Sequence, residues 1–237
     1  MIYLLFPTHM EYEAAAGLLV STSPVNIGLR PGLAGGLAGR PVTAIVTGVG
    51  QANTAQALTA VLEGGQASLV ILGGCAGAYE GSGLGVGDVA VATEEIYADT
   101  GVAAPEGWQS LEDIRLPLIE INGAGYYNRF PLDAELVRRA KSALGTNTGV
   151  SFGPFLTVAA VSGTRKRGEE LYAGFHALCE NMEGAAAAQV ALLYGAAFME
   201  VRGISNMVED RDRDKWNIKT ASANCAKVIE TIVKNLN

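Results

Sequence analysis

Polar side chains stand out in residues 179–212, a stretch that is otherwise apolar and rich in alanine and glycine. Glu183 opens an alanine-rich run, and Glu200, Arg202 and Asn206 follow in the segment EVRGISN. A carboxylate accepts hydrogen bonds, a guanidinium donates several in a fixed plane, and an amide both donates and accepts. These groups together are suited to binding and activating a small polar ligand.

The residues around these groups predict the elements that position them. Alanine favours a helix after Glu183, and FMEVRGI over 198–204 predicts a short strand with Glu200 and Arg202 on one face. A carboxylate that opens a buried helix and a polar loop that leaves a strand are places where α/β folds build sites. For Glu183 or Arg202 alone, an acid at a helix start or an ordinary ion pair remains an open alternative.

A second pair of acids lies close to the first strand. The apolar residues 2–6 predict a buried strand, and the segment EYEAAAGLLV after Pro7 predicts a helix with Glu11 and Glu13 near its start. Either acid could serve only the helix dipole. The first residues are interpreted as a strand rather than a signal peptide, because they carry no basic leader.

A loop of small residues follows the apolar strand at 69–72. In GGCAGAY, Cys75, Ala76 and Gly77 would let the backbone approach a flat ligand closely. Cys75 is interpreted as a small buried residue rather than a nucleophile. The segment GVGQAN lacks the third glycine of a dinucleotide fingerprint, so we expect no nicotinamide site and no cofactor.

Composition excludes several classes of function. A formal net charge of −7 and a pI near 4.9 argue against a nucleic-acid-binding surface. No apolar run reaches membrane-spanning length, and two histidines without a CxxC motif predict no metal site. Three widely spaced cysteines fit a reducing cytoplasm. We therefore expect a cytoplasmic protein that meets neither nucleic acid nor membrane.

The order of elements predicts the fold class. Strand and helix patterns alternate along the chain without a linker or repeat, which indicates an α/β protein: a single domain over 1–237 with three layers, a central mixed β-sheet flanked by helices. Further predicted helices cover 51–63, 133–144 and 219–235, and a predicted strand covers 155–162. Residues 100–131 are irregular, and their aromatic side chains could line a site or fix the loop to the body.

Several motifs in sequence order resemble one known family. The segments ENMEGAAAAQVA and EVRGISN resemble the nucleoside phosphorylase/nucleosidase superfamily, in particular the branch that hydrolyses purine nucleosides. Within that branch, RDRDKW and the asparagine of ISN are most similar to the futalosine hydrolases. The resemblance extends over nearly the whole chain. It implies a nucleoside phosphorylase-like fold and a small-molecule purine nucleoside as the binding partner.

The resemblance also assigns roles to residues. It implies that Glu13, the last acid of a Met-Glu-x-Glu pattern, activates water, and that Asn206 is the catalytic partner of the departing base. It implies contacts to ribose hydroxyls from Glu183, which Arg202 positions. Further substrate-binding residues that it implies are Met10, Cys75, Ala76, Gly77 and Met182. The phenylalanine that stacks on the base in the family is replaced by GTRKRGEELY, so this stacking residue is not identified.

Asn206 indicates which base leaves. Aminopurine nucleosidases of this family carry aspartate there, which can supply a proton to adenine. An amide instead offers a donor and an acceptor, matching the 6-oxygen and N7–H of a 6-oxopurine. The leading hypothesis is therefore hydrolysis of futalosine to hypoxanthine and dehypoxanthine futalosine, a step of menaquinone synthesis.

Three other functions remain open. A methylthioadenosine/S-adenosylhomocysteine nucleosidase would share the fold and Glu13. A purine nucleoside phosphorylase would need phosphate-binding arginines, for which Arg30 and Arg40 are the candidates. A nucleoside-binding protein without activity would leave the pairing of Glu13 with Glu183 unexplained. The resemblance also implies a homo-oligomer, a dimer or larger.

Overall fold

One mixed β-sheet of ten strands runs through the protein. The computed structural model describes residues 1–65, 67–105, 107–145 and 149–236. The strands, numbered along the chain, are β1 Ile2–Phe6, β2 Val20–Ile27, β3 Arg30–Leu37, β4 Arg40–Val46, β5 Leu69–Ala78, β6 Val89–Tyr97, β7 Gly101–Ala104, β8 Gly107–Ser110, β9 Ile119–Ile121, β10 Ala124–Tyr126, β11 Arg129–Pro131, β12 Val150–Thr157, β13 Cys179–Asn181 and β14 Phe198–Met207.

The large sheet combines parallel and antiparallel pairs. Its order is β11-β6-β12-β13-β5-β1-β4-β3-β2, and β14 pairs with β5 and β6. The pairs of β1 with β4 and β5, of β12 with β6 and β13, and of β14 with β5 are parallel. Two short antiparallel pairs, β7–β8 and β9–β10, lie outside this sheet.

Helices cover both faces of the sheet. They are α1 His9–Ala16, α2 Gln51–Glu63, α3 Ala134–Leu144, α4 Arg165–Phe175, α5 Gly184–Tyr194 and α6 Ile218–Asn235. Helices α1, α3 and α6 share one apolar core with the sheet, and α2 and α5 share a second core on the opposite face. The predicted three-layer α/β fold with a central mixed sheet is confirmed.

Residues 20–46 form an antiparallel ribbon of β2, β3 and β4. Most predicted elements are confirmed, and one differs in an informative way. The predicted strand 155–162 is wrong in its second half: β12 ends at Thr157, and Ala159 donates its backbone N–H to Asp99 instead of to a strand. Helix α4 was not predicted. Thr164 caps it by accepting the backbone N–H of Arg167.

Two features near the carboxyl ends of β5 and β14 determine which side chains meet at one edge of the sheet. Strands β5 and β14 are parallel neighbours, so their carboxyl ends meet at one edge of the sheet. The register between them shifts after Ile204, where Ser205 is the extra residue of a β-bulge. Bulges re-aim the side chains next to them. None of the helices described in this structure is long and apolar enough to cross a membrane.

Candidate active site

A cavity of about 540 Å³ opens where the carboxyl ends of β1, β5 and β14 meet. This is the position at which open α/β sheets bind ligands. Its walls carry four charged side chains that are largely buried: Glu11, Glu180, Glu183 and Arg202. The remaining described lining residues are Pro7, Thr8, His9, Met10, Val49, Cys75, Ala76, Gly77, Val161, Ser162, Asn181, Met182, Ser205, Asn206, Arg211, Trp216 and Ile218.

Glu11 joins the start of α1 to the end of β5. Its Oε2 accepts the backbone N–H of Thr8 at 3.0 Å and the Thr8 hydroxyl at 2.6 Å, which completes a capping box. Its Oε1 accepts the backbone N–H of Cys75 at 2.8 Å. A carboxylate has about four lone-pair positions, so one position on Oε1 is left for a ligand or water in the cavity.

Glu13 lies outside the cavity. Its side chain is exposed on the outer face of α1, and it is absent from the described cavity walls. The capping residue Thr8 fixes the phase of the helix, so Glu11 and Ala15, four positions apart, face inward. Glu13, two positions from Glu11, then points nearly the opposite way. The structure therefore does not support the predicted site position of Glu13, and Glu11 occupies it.

Glu183 connects three parts of the chain. Its Oε1 accepts the backbone N–H of Gly50 at 2.8 Å, and its Oε2 accepts Nη2 of Arg202 at 3.1 Å. It is the residue before α5, yet its side chain makes no capping hydrogen bond. Asn181 Oδ1 accepts the N–H of Glu183 and of Gly184 instead. Glu183 is therefore more than an acid that favours a helix start.

Arg202 is fully buried and each of its nitrogens has a partner. Nε donates to Glu200 at 2.7 Å, Nη1 to the carbonyl of Cys75 at 3.2 Å, and Nη2 to Glu183. The predicted shared face of Glu200 and Arg202 is confirmed by this contact. Burial opposes the charge of the guanidinium, but the neighbouring carboxylates of Glu200 and Glu183 raise the pKa of Arg202 overall. Arg202 therefore remains a cation that orients Glu183.

Asn206 is turned into the cavity by the bulge at Ser205. Its Oδ1 accepts the Ser205 hydroxyl at 2.8 Å, and its Nδ2 donates to the carbonyl of Met207 at 3.0 Å. Since an amide has two N–H groups and two lone pairs, one donor and one acceptor position remain. Both remaining positions are available to a ligand.

The other predicted binding residues line the same cavity. Met10, Ala76, Gly77 and Met182 all contribute to its walls. Cys75 does as well, and its sulfur lies 3.3 Å from the Ser222 hydroxyl. Burial raises the pKa of the Cys75 thiol to about 11, so it is a neutral thiol at physiological pH. A thiolate nucleophile is therefore not expected there.

Sequence reasoning missed several lining residues. Glu180 lies beside Asn206: a Cβ at Gly77 would sit 3.1 Å from Asn206 Nδ2 and 3.8 Å from Glu180 Cγ. Glu180 accepts the backbone N–H and the hydroxyl of Ser162, and the Tyr79 hydroxyl. Glu180 was part of the ENMEG segment, but nothing in the sequence indicated that Ser162 would come to meet it.

Trp216 supplies the one Phe, Tyr or Trp ring among the described cavity walls. It belongs to the RDRDKW segment, and the guanidinium of Arg211 lies 4.8 Å from the centre of its ring. No cluster of three or more His, Cys, Asp or Glu side chains able to hold a metal occurs in the described part of the chain. The cavity walls thus combine the carboxylates of Glu11, Glu180 and Glu183 with the amide of Asn206 and the indole of Trp216.

Comparison with known proteins gives one consistent family. Residues 5–234 match the Phosphorylase superfamily. Futalosine hydrolase of Thermus thermophilus is 33% identical over 198 residues, covering 84% of each chain. The 5'-methylthioadenosine/S-adenosylhomocysteine nucleosidase of Halalkalibacterium halodurans is 26% identical, covering 85% of this chain and 84% of the relative. The crystal structure of the nucleosidase of that name from Neisseria meningitidis, in complex with methylthio-immucillin-A, has a TM-score of 0.84 at 26% identity and covers 99% of both chains.

Proposed function

The chain belongs to the phosphorylase superfamily, and we propose that it acts there as a futalosine hydrolase that releases hypoxanthine. Its relatives make it an N-glycosyl hydrolase of nucleosides. The observation that carries the choice of base is the amide of Asn206, which lies in the cavity with one donor and one acceptor position free. Similarity to a futalosine hydrolase over 84% of the chain supports the same choice.

Cleavage of a ribosidic bond requires three kinds of help. The sugar passes through a state with oxocarbenium character, as in other glycoside hydrolysis. A base must activate the water that attacks the sugar carbon, acceptors must hold the ribose hydroxyls, and the departing purine needs hydrogen-bond partners. Each requirement has a candidate among the described cavity residues.

Glu11 is the candidate that activates water. It is 7% exposed, lines the cavity and retains one lone-pair position on Oε1. The backbone N–H of Cys75 and the capping box hold the carboxylate in place, so little reorganisation is needed when water binds. Glu11 therefore takes the role that the resemblance implied for Glu13.

Glu183 is the candidate that binds the ribose hydroxyls. Its two oxygens are held by Gly50 and Arg202 from opposite directions, and it is 3% exposed. Nearby, a Cβ at Gly74 would lie 2.6 Å from Arg202 Nη1 and 2.8 Å from Glu11 Oε1. Glu11 and the Arg202 side chain that binds Glu183 are therefore neighbours, which supports roles for Glu11 and Glu183 at the same sugar.

Asn206 and Glu180 are the candidates that recognise the purine. The free donor and acceptor of Asn206 match the 6-oxygen and the N7–H of leaving hypoxanthine. Glu180 retains one lone-pair position, which would accept the N1–H of hypoxanthine. Adenine has an unprotonated N1 at this place, so the same carboxylate would repel it. Trp216 would supply an apolar face for the base.

A phosphorylase finds no support in the cavity. Arg30 donates to Gln56 and Asn53 on α2, and neither Arg30 nor Arg40 is among the described residues of the cavity walls. The aminopurine nucleosidase remains the rival function, because the fold is shared with such enzymes. Asn206 and Glu180 together distinguish the two substrates.

The experiment that tests this function is a substrate panel. Purified protein is incubated with futalosine, inosine and methylthioadenosine, with and without phosphate, and the released base is identified by chromatography. We expect hypoxanthine from futalosine at a rate that phosphate does not change. Release of adenine from methylthioadenosine as the fastest reaction, or strict dependence on phosphate, would overturn the proposal.

A further inference from the structure

Two buried glutamates behind Arg202 have no part in the reaction proposed above. Glu95 lies on β6 and Glu200 on β14, and both are 0% exposed. Glu200 Oε1 accepts Nε of Arg202 at 2.7 Å, and Glu95 Oε2 accepts the Thr157 hydroxyl at 3.0 Å. Among the described residues, no N–H or hydroxyl group donates a hydrogen bond to Glu95 Oε1 or to Glu200 Oε2.

The two carboxyl groups share one small space at the start of α5. A Cβ at Gly184 would lie 2.2 Å from Glu200 Oε2 and 2.4 Å from the carboxyl carbon of Glu95. The side chains are within hydrogen-bond reach of one another. Two ionised carboxylates that are neighbours and fully buried from solvent would repel strongly, so such pairs hold a proton between them.

We propose that Glu95 is a neutral carboxylic acid that donates its proton to Glu200, and that this pair positions Arg202 toward Glu183. The proton on Glu95 supplies the hydrogen-bond donor that the two carboxyl groups otherwise lack. Glu200 stays ionised and holds Nε, so the plane of the guanidinium is fixed and Nη2 is directed to Glu183. Glu95 and Glu200 are positioning residues, because they act through Arg202 and lie behind it.

The surroundings assign the proton to Glu95 rather than Glu200. Glu200 has a guanidinium at 2.7 Å, whereas Glu95 has only a neutral hydroxyl. Burial, and then the charge of Glu200, raise the pKa of Glu95 well above its ordinary value. Burial also raises the pKa of Glu200, but Arg202 lowers it. The acid with the cation beside it is therefore the one that ionises.

No other group near Glu95 changes charge in the same range of pH. The groups that face it are Glu200 and Arg202 from β14, Cys179 from β13, Tyr97 from its own strand, and the uncharged Thr157 from β12 and Gly184 from α5. Burial raises the pKa of both Cys179 and Tyr97. Both therefore stay neutral where Glu95 would otherwise ionise.

The first test compares three variants that each replace a carboxyl group by an amide. In Glu95→Gln, the amide N–H can donate to Glu200 as the acid proton does, so kcat/KM should stay within about threefold of wild type. Glu200→Gln removes the anion that holds Arg202, and misplacing a group in the site can cost about 100-fold. Glu94→Gln is the matched control, since Glu94 neighbours Glu95 but pairs with Arg129 near the surface.

The second test uses stability against pH and does not depend on any substrate. The unfolded chain loses the Glu95 proton near pH 4.5, its ordinary value, whereas the folded protein keeps it. Wild type therefore loses stability relative to Glu95→Gln as pH rises from 4.5 toward the folded pKa. The difference in Tm, variant minus wild type, should therefore increase with pH from 4.5 upward. Glu94→Gln should show no such increase.

Each result decides for or against the pair. A Tm difference for Glu95→Gln that is flat or falls with pH would show an ionised Glu95 and overturn the proposal. So would a reversed pattern in which Glu200→Gln is benign and Glu95→Gln is not. If Glu95→Gln does not fold, infrared spectra of the wild type decide, because a buried carboxylic-acid carbonyl band must be present at neutral pH.

The proton assignment and the proposed function can fail separately. The Tm and infrared measurements need no turnover, so they stand even if futalosine is not the substrate. Only the kcat/KM comparison rests on the proposed function, and it can be made with whichever nucleoside the protein cleaves fastest.

Discussion

Glu11 uses three lone-pair positions to hold the protein together and keeps one for the cavity. Glutamine also completes a capping box through its one oxygen, but its amide nitrogen then faces the backbone N–H of Cys75, which Glu11 Oε1 accepts in the wild type. Leaving that buried donor unpaired should lower the stability of Glu11→Gln by roughly 1–3 kcal/mol. Glutamine cannot take a proton from water. We expect kcat to fall by at least ~100-fold, the usual size of lost general-base catalysis, while substrate binding changes little. Turnover of futalosine and urea unfolding of the same preparation measure both effects.

Glu13→Gln is the matched control, because it removes an acid two positions away on the exposed face of α1. Turnover within about twofold of wild type is expected, since surface substitutions away from special features are usually within ~0.5 kcal/mol. If Glu13→Gln loses activity and Glu11→Gln keeps it, the assignment of the base returns to Glu13.

Asn206→Asp tests how the base is recognised. A carboxylate there would face the 6-oxygen of hypoxanthine, and an unpaired buried acceptor costs roughly 1–3 kcal/mol. The ratio of kcat/KM for inosine-type over adenosine-type substrates should therefore fall by about 5- to 160-fold. Because both substrates are measured on one protein, any loss of folded protein cancels. A ratio equal to that of wild type would remove Asn206 from base recognition.

The residue scale also shows what the sequence could and could not reveal. The Met-Glu-x-Glu pattern contains both Glu11 and Glu13, and that pattern alone does not show which of them faces the cavity. The rotation of α1 about its axis determines this. The signal was present in Thr8 and Glu11, which are spaced as a capping box. Nothing in the sequence indicated a role for Glu95, because that role depends on Glu200, which is more than a hundred residues away in the chain. The two residues become neighbours only when β6 and β14 pair in the folded sheet.

At the scale of elements, the first residue of α5 must be a glycine, because the neighbouring carboxyl groups leave no room for a side chain. Gly184 is the first residue of the helix, where alanine would normally stabilise by up to ~1 kcal/mol. A Cβ there would lie 2.2 Å from Glu200 Oε2. Overpacking of this kind costs typically ~1–3 kcal/mol. Gly184→Ala should therefore lower the free energy of unfolding and also reduce turnover, because Glu200 and Arg202 must move.

Gly174→Ala in α4 provides the comparison. A Cβ at Gly174 meets no atom within 4 Å, so helix propensity alone acts and stability should rise slightly. Urea unfolding of both variants and of the wild type measures whether each alanine raises or lowers the free energy of unfolding. Equal stabilisation by the two alanines would mean that the space above Gly184 is open, and it would argue against a tightly packed carboxyl pair.

Element prediction failed where a tertiary contact decided the local structure. The residues FLTVAAVS continue a strand pattern, yet β12 ends at Thr157. The Thr157 hydroxyl accepts the backbone N–H of Ala185, and beyond it the chain leaves the sheet to bring Ser162 to Glu180. Helix α2, by contrast, has the predicted bounds Gln51–Glu63, because a glycine turn and a regular apolar pattern define it locally.

At the scale of the whole molecule, the cavity draws its walls from nearly the full length of the chain, from Pro7 to Ile218. The alternation of strands and helices was sufficient to predict the layers, but not the strand order, which rests on pairs distant in sequence. The expected homo-oligomer is a property beyond one chain and stays a prediction, for which sedimentation in solution is the measurement.

Because the site joins elements from both ends of the chain, ligand binding should stabilise the fold as a whole. A ligand at 100 times its Kd stabilises the native state by ~2.7 kcal/mol, which for a protein of this size raises Tm by roughly 5 to 10 °C. We expect hypoxanthine to give such a shift in differential scanning calorimetry. Adenine at the same concentration should give a clearly smaller one, because Glu180 and Asn206 match an oxopurine.

The comparison is sharpened by Asn206→Ala, which removes the amide. In that variant the shift caused by hypoxanthine should shrink toward the shift caused by adenine, while the Tm without ligand reports any structural damage separately. Binding requires the complete cavity, so a single cooperative transition should move as a unit. Equal shifts by both bases in the wild-type protein would contradict oxopurine recognition, and they would do so without reference to catalysis, since neither base can be hydrolysed.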